Sequence, residues 1–98
     1  LNASRCAPGL DPVGRHRLAV RLSEATTGLC AALTPNDKGT CYCLAQAGGD
    51  VRALTKALNT ALNGRGGGKP GICQGSCAAT PEQVEDFLKE NIDHENAL

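Results

Sequence analysis

Residues 64–77, GRGGGKPGICQGSC, hold six of the chain's twelve glycines, three of them consecutive at Gly66, Gly67 and Gly68. Glycine loses more backbone freedom on folding than any other residue, so such a run weakens helix and strand alike. Two physical uses fit it. Glycine admits positive φ and lets a backbone come close to another body. Successive exposed N–H groups also form a concave nest for phosphate or carboxylate oxygens. Arg65 and Lys69 flank the triple glycine and add charge beside those donors. Pro70 then directs the chain into an extended conformation, because the residue before proline avoids the α region. The competing reading is a flexible turn that lets helix and strand pack closely, for which one or two glycines suffice. The nucleotide-binding fingerprints do not match. A P-loop needs Ser or Thr after its Gly-Lys, whereas Lys69 is followed by Pro70. A dinucleotide fingerprint needs its glycines between a first strand and a helix, whereas these follow a helix.

That helix is the clearest periodic signal. Val51, Leu54, Leu58, Ala61 and Leu62 recur at helical spacing after Gly48-Gly49-Asp50, and Asn63-Gly64 supplies a left-handed end. Asp11-Pro12 starts an earlier helix over 12–24, with Leu18, Leu22 and Ala25 on one stripe and Arg15, Arg17 and Arg21 elsewhere. GLCAAL (28–33) and CYCLAQA (41–47) flank the turn cluster TPNDKGT and read as a hairpin of buried strands. GICQGSC makes a further short strand. Thr80-Pro81-Glu82-Gln83 is a capping box ahead of Val84, Phe87, Leu88 and Ile92. The predicted order is helix-strand-strand-helix-strand-helix: a small α/β two-layer sandwich, about three strands or more covered by about three helices. Residues 1–10 are expected to be disordered or a linker remnant, 11–92 the domain, and 93–98 a frayed tail.

At 98 residues the chain is one domain. Tyr42 and Phe87 are its only aromatics, so the core falls to Leu, Val, Ala, Ile and Cys. The same scarcity argues against single-strand binding by stacking, which needs several aromatic platforms. No stretch is apolar enough to cross a membrane, and the missing initial Met suggests a piece of a longer protein. The formal charge is zero but segregated. Residues 51–81 carry Arg52, Lys56, Arg65 and Lys69 without an acid; residues 82–98 carry six acids against Lys89. A basic middle beside an acidic tail orients a polyanion, although two solvated surfaces give the same pattern. Cys6, Cys30, Cys41, Cys43, Cys73 and Cys77 admit three readings. Free thiols in a reducing, cytoplasmic compartment are favoured over zinc ligands, which lack a nearby His, and over a disulfide framework.

ALNGRGGGKPGICQGS resembles the glycine-rich motif of the DHH-associated domain, found at the C-terminus of alanyl-tRNA synthetases and long alanyl-tRNA editing proteins and beside DHH phosphoesterases. The match runs through Asn63, Gly64, Arg65, Gly66, Gly67, Gly68, Lys69 and Pro70 to Gln74 and Gly75, and the following ATPEQVEDFL is similar to the family's closing helix. It covers about residues 11–92. Asn63, Cys73 and Ser76 depart from the residues usual there. The resemblance implies a C-terminal accessory domain that contacts tRNA or covers the substrate of a neighbouring catalytic domain. The motifs of the family's editing zinc site are not in the chain, so no cofactor is expected here, and any zinc belongs to the parent's editing domain.

Three functions follow. The first is a tRNA- or RNA-binding module. Arg65, Lys69 and the amides of Gly66, Gly67 and Gly68 hold phosphates, Arg52 and Lys56 widen the patch, and Gln74 with Gly75 contacts RNA or ties down the loop. Four cationic contacts imply a log–log salt slope of roughly −3 for single strands or −3.6 for duplex. The second is a substrate-binding domain of a DHH phosphoesterase; the third is a homodimerisation module of the parent, through the acidic last helix or a sheet edge. No catalytic residue is expected within the chain, the parent being an aminoacyl-tRNA hydrolase or an alanine–tRNA ligase.

Overall fold

The computed structural model describes residues 3–25, 28–46 and 48–96. Its elements are β1 (Ala3–Cys6), α1 (Pro12–Ala25), β2 (Cys30–Asn36), β3 (Gly39–Ala45), α2 (Arg52–Ala61), β4 (Arg65–Lys69), β5 (Ile72–Cys77) and α3 (Pro81–Asn96). The helix ends follow their local chemistry. Asp11 caps α1, its Oδ1 accepting the Gly14 N–H at 2.7 Å. Thr80 and Gln83 complete a reciprocal capping box on α3, at 2.9 and 3.2 Å. Past the end of α2, Asn63 takes the left-handed conformation (φ 54°), and the Gly64 N–H returns to the Asn59 carbonyl at 2.8 Å.

The strands form one sheet in the order β1-β2-β3-β5-β4. β2 and β3 are the hairpin the sequence suggests, joined through Asp37 and Lys38 with Asn36 opposite Gly39. Pro35 is tolerated in β2 because antiparallel pairs alternate from that turn. Its missing N–H points away from β3, beyond Leu33, where β1 stops pairing. β1 runs parallel to β2; the other neighbours are antiparallel.

Successive residues of a strand face opposite sides. Leu29, Ala31, Leu33, Tyr42, Leu44, Cys73 and Cys77 pack with Val51 and Leu58 of the α2 segment and with Val84 and Leu88 of α3. Ala32, Cys43 and Ala45 pack on the other side with Ala19 of α1, joined by Leu18 and Ile72. β2 and β3 are therefore covered on both faces, which is why they read as unbroken apolar runs.

Three expectations need correction. The molecule has three layers rather than two, because α1 lies across the sheet from α2 and α3. The sheet has five strands. One added strand, β1, falls in residues expected to be disordered; the other, β4, falls in the segment read as a loop. The helix α3 runs from Pro81 to Asn96. The α1 stripe also differs: Arg15 and Ala19 face the sheet, while Ala25 is exposed. Arg15 is only 7% accessible. One of its terminal nitrogens donates to the Leu10 carbonyl at 2.6 Å, and its Nε is buried without a partner among the described residues.

Candidate nucleic-acid interface

The glycine-rich segment is an edge strand. β4 pairs with β5 in the register Arg65–Ser76, Gly66–Gly75, Gly67–Gln74, Gly68–Cys73 and Lys69–Ile72, closed by the two-residue turn Pro70-Gly71. Beyond such a turn hydrogen-bonded and non-bonded pairs alternate. Lys69, Gly67 and Arg65 thus exchange bonds with β5, while the N–H groups of Gly66 and Gly68 turn outward at the free edge. This replaces the concave nest: in an extended strand, successive amides point in opposite directions. All five residues of β4 are exposed.

The alternation also sorts the side chains. Gly66 and Gly68 lie on the α2 face with Cys73 and Gly75. Arg65, Gly67 and Lys69 lie on the α1 face with Gln74 and Ser76. The two cations thus share a side of the sheet, four residues apart, or about 13 Å along a strand. The α1 helix covers β2 and β3 on that side. Over β5 and β4 the face is open: Gln74 is half-buried, Ser76 is exposed, and a Cβ on Gly67 would meet nothing within 4 Å.

Gly66 and Gly75 serve a different purpose. Tyr42, Gly75 and Gly66 stand in line across β3, β5 and β4. The buried Tyr42 side chain extends over the two side-chain-free positions and donates from Oη to Asn59 Oδ1 of α2 at 2.6 Å. A Cβ on Gly75 would lie 2.6 Å from that hydroxyl, and one on Gly66 would lie 2.7 Å from it. Asn59 Nδ2 in turn reaches the Gly66 carbonyl at 3.4 Å, tying α2 to the edge strand. Burial pushes the Tyr42 phenol up to about 12. Asn59 was missed in the sequence. Its only signal was its place one turn after Thr55, on the inward flank of α2.

Arg52 and Lys56 sit on α2, across the sheet from Arg65 and Lys69. Arg52 is already engaged. Its guanidinium makes a two-pronged contact with Asp50, at 2.8 and 3.0 Å, while its N–H bonds the same carboxylate. These bonds hold the exposed Asp50 carboxyl down at about 2. Lys56 is free of such a pairing among the described residues and lines a groove of about 450 Å³ between α2 and β4, with Asn59, Thr60 and Gly66–Gly68. On the opposite side, Arg17 and Arg21 of α1 are exposed, as is His16. None of the three is among the residues expected from the sequence to contact RNA.

All six cysteines are free. Cys30, Cys43, Cys73 and Cys77 are buried, Cys41 is half-buried and Cys6 exposed. Burial raises the Cys30, Cys43 and Cys77 thiols, Cys43 to about 12. Among the described residues no group of three or more His, Cys, Asp or Glu is placed to hold a metal, and no helix is long and apolar enough to cross a membrane.

No protein-family profile and no curated protein sequence matches the chain. Among solved structures, it is similar to the crystal structure of the C-Ala domain from Aquifex aeolicus alanyl-tRNA synthetase. The TM-score is 0.74 at 16% identity, over 89% of this chain and 83% of that one. At that identity the likeness is one of fold.

Proposed function

We propose that the chain is an accessory RNA-binding domain, with tRNA as its partner, from a cytoplasmic protein of the alanyl-tRNA synthetase or editing kind. The observation that carries this reading is β4, a bare edge strand with two outward amides and with Arg65 and Lys69 at its ends on one open face. A phosphate backbone can approach such an edge without meeting a side chain, and cations on either side of the glycines hold it there. Lys56 adds a third cation from across the edge. The fold shared with the C-Ala domain and the glycine-rich resemblance both support this reading. The resemblance further supports a place beside a catalytic domain of the parent, where any chemistry and any zinc would reside.

Contacts of this kind are electrostatic and independent of sequence. With Arg52 held by Asp50, three cations remain, giving a log–log salt slope of about −2.7 on duplex RNA. Fluorescence anisotropy with a tRNA transcript is the test. The Arg65→Ala/Lys69→Ala variant is expected to bind roughly tenfold more weakly, with its slope reduced by about 1.8. Its thermal stability should stay within about 0.5 kcal/mol of the parent chain. An affinity and slope unchanged by the double substitution would refute the reading.

A further inference from the structure

The open half of the α1 face has a shape that phosphate binding alone leaves unexplained. Pro12, Val13 and His16 of α1 face Gln74 of β5 across a space of about 310 Å³. Gln74 is paired with Gly67, so the floor passes from a carboxamide to a position without a side chain. Beyond Gly67 lies open space, bordered by Arg65 and Lys69. Val13 is 63% accessible, the one large aliphatic left so exposed among the described residues. An exposed aliphatic, an imidazole and a primary amide thus converge beside a cationic strand.

We infer that this trough, walled by Val13 and His16 and floored by Gln74 and Gly67, takes one unstacked nucleobase of the bound RNA. The inference rests on the phosphate-binding reading of β4. Phosphates held along β4 by Arg65 and Lys69 put their own nucleotides within reach of the trough. Val13 and Pro12 give the base an apolar flank, and the His16 ring offers a plane for stacking. The Gln74 carboxamide, both donor and acceptor, can pair with a base edge. The near absence of aromatics excludes a stacked run of bases, so the occupant is a single unpaired base within an otherwise backbone-read RNA. Gly67 then has a use that neither Tyr42 nor the turn demands: a side chain there would project into the open space beside Gln74.

The test compares three RNA probes of one sequence: a flush duplex, the same duplex with one bulged nucleotide, and the bulged duplex with an abasic residue at the bulge. The bulged duplex is expected to bind about five- to tenfold more tightly than the other two. Gly67→Leu, which projects into open space on an exposed strand, and Gln74→Ala should each abolish that gain. The gain is read as the ratio of bulged-duplex to flush-duplex affinity within each variant. Equal affinity for all three probes, or a gain that survives Gly67→Leu, would overturn the inference. Failure of the underlying reading looks different: Arg65→Ala/Lys69→Ala would then leave the affinity for all three probes intact.

Discussion

Tyr42 reaches Asn59 only because two residues in its path have no side chain. The glycines of β4 and β5 are thus not interchangeable. Gly66 and Gly75 make room for a buried ring and its hydrogen bond, whereas Gly67 faces open space on the other side. Substitution separates the two roles. Gly75→Ala forces its methyl against the Arg65 carbonyl and the Tyr42 hydroxyl, and should cost about 1–3 kcal/mol or more in chemical denaturation. Gly67→Ala meets no atom within 4 Å and should be neutral or slightly stabilising, since alanine restricts the unfolded chain. A β4 held as a loose loop would make the two variants alike. Gly67 does not take a positive φ, so no backbone strain meets a side chain there.

At the level of elements, the sequence was legible where local chemistry and burial agree. The α2 stripe, the Thr80–Gln83 box and the β2–β3 hairpin each follow from residues whose preferences match their surroundings. The two edge strands were not legible for opposite reasons. β4 is a poor strand by propensity and forms because β5 and α2 hold it. β1 is short and polar, and its parallel partner β2 lies more than twenty residues away in the chain. The site was half legible: Arg65 and Lys69 stood out by charge, but their shared face follows only from the register with β5. An open edge also invites another edge. Two β4 strands pairing antiparallel about Gly67 would set Arg65 of one copy opposite Lys69 of the other, and like charges in that position repel. The Arg65→Ala/Lys69→Ala chain should therefore self-associate more readily than the unaltered one at low ionic strength. Sedimentation equilibrium would show it, and equal association constants would count against edge pairing.

On the scale of the whole molecule, the core depends on groups that must keep their protons. Cys30, Cys43, Cys77 and Tyr42 all resist ionisation because they are buried. An unfolded chain releases its thiol protons near the ordinary value of 9.0 and its phenol proton near 10.0, before the folded one does. The unfolded state then binds fewer protons, so stability falls as pH rises through this range, by roughly 1.4 kcal/mol per pH unit for each such group. Denaturation midpoints should hold steady up to about pH 8.5 and decline above it. Tyrosinate absorbance, a clean probe with Tyr42 the single tyrosine and no tryptophan, should appear only near pH 12 or together with unfolding. Tyrosinate at pH 10 in a folded chain would contradict the buried ring. Charge is divided between the layers as well. Glu82, Asp86 and Glu90 of α3 are exposed on one side of the sheet, where Lys56 and Lys89 offset them only in part, while Arg17, Arg21, Arg65 and Lys69 lie on the other. A polyanion drifting toward such a body is swung round before it touches, pushed off one flank and drawn to the opposite one. Whatever is joined to this domain therefore meets a polyanion from a direction already chosen at a distance.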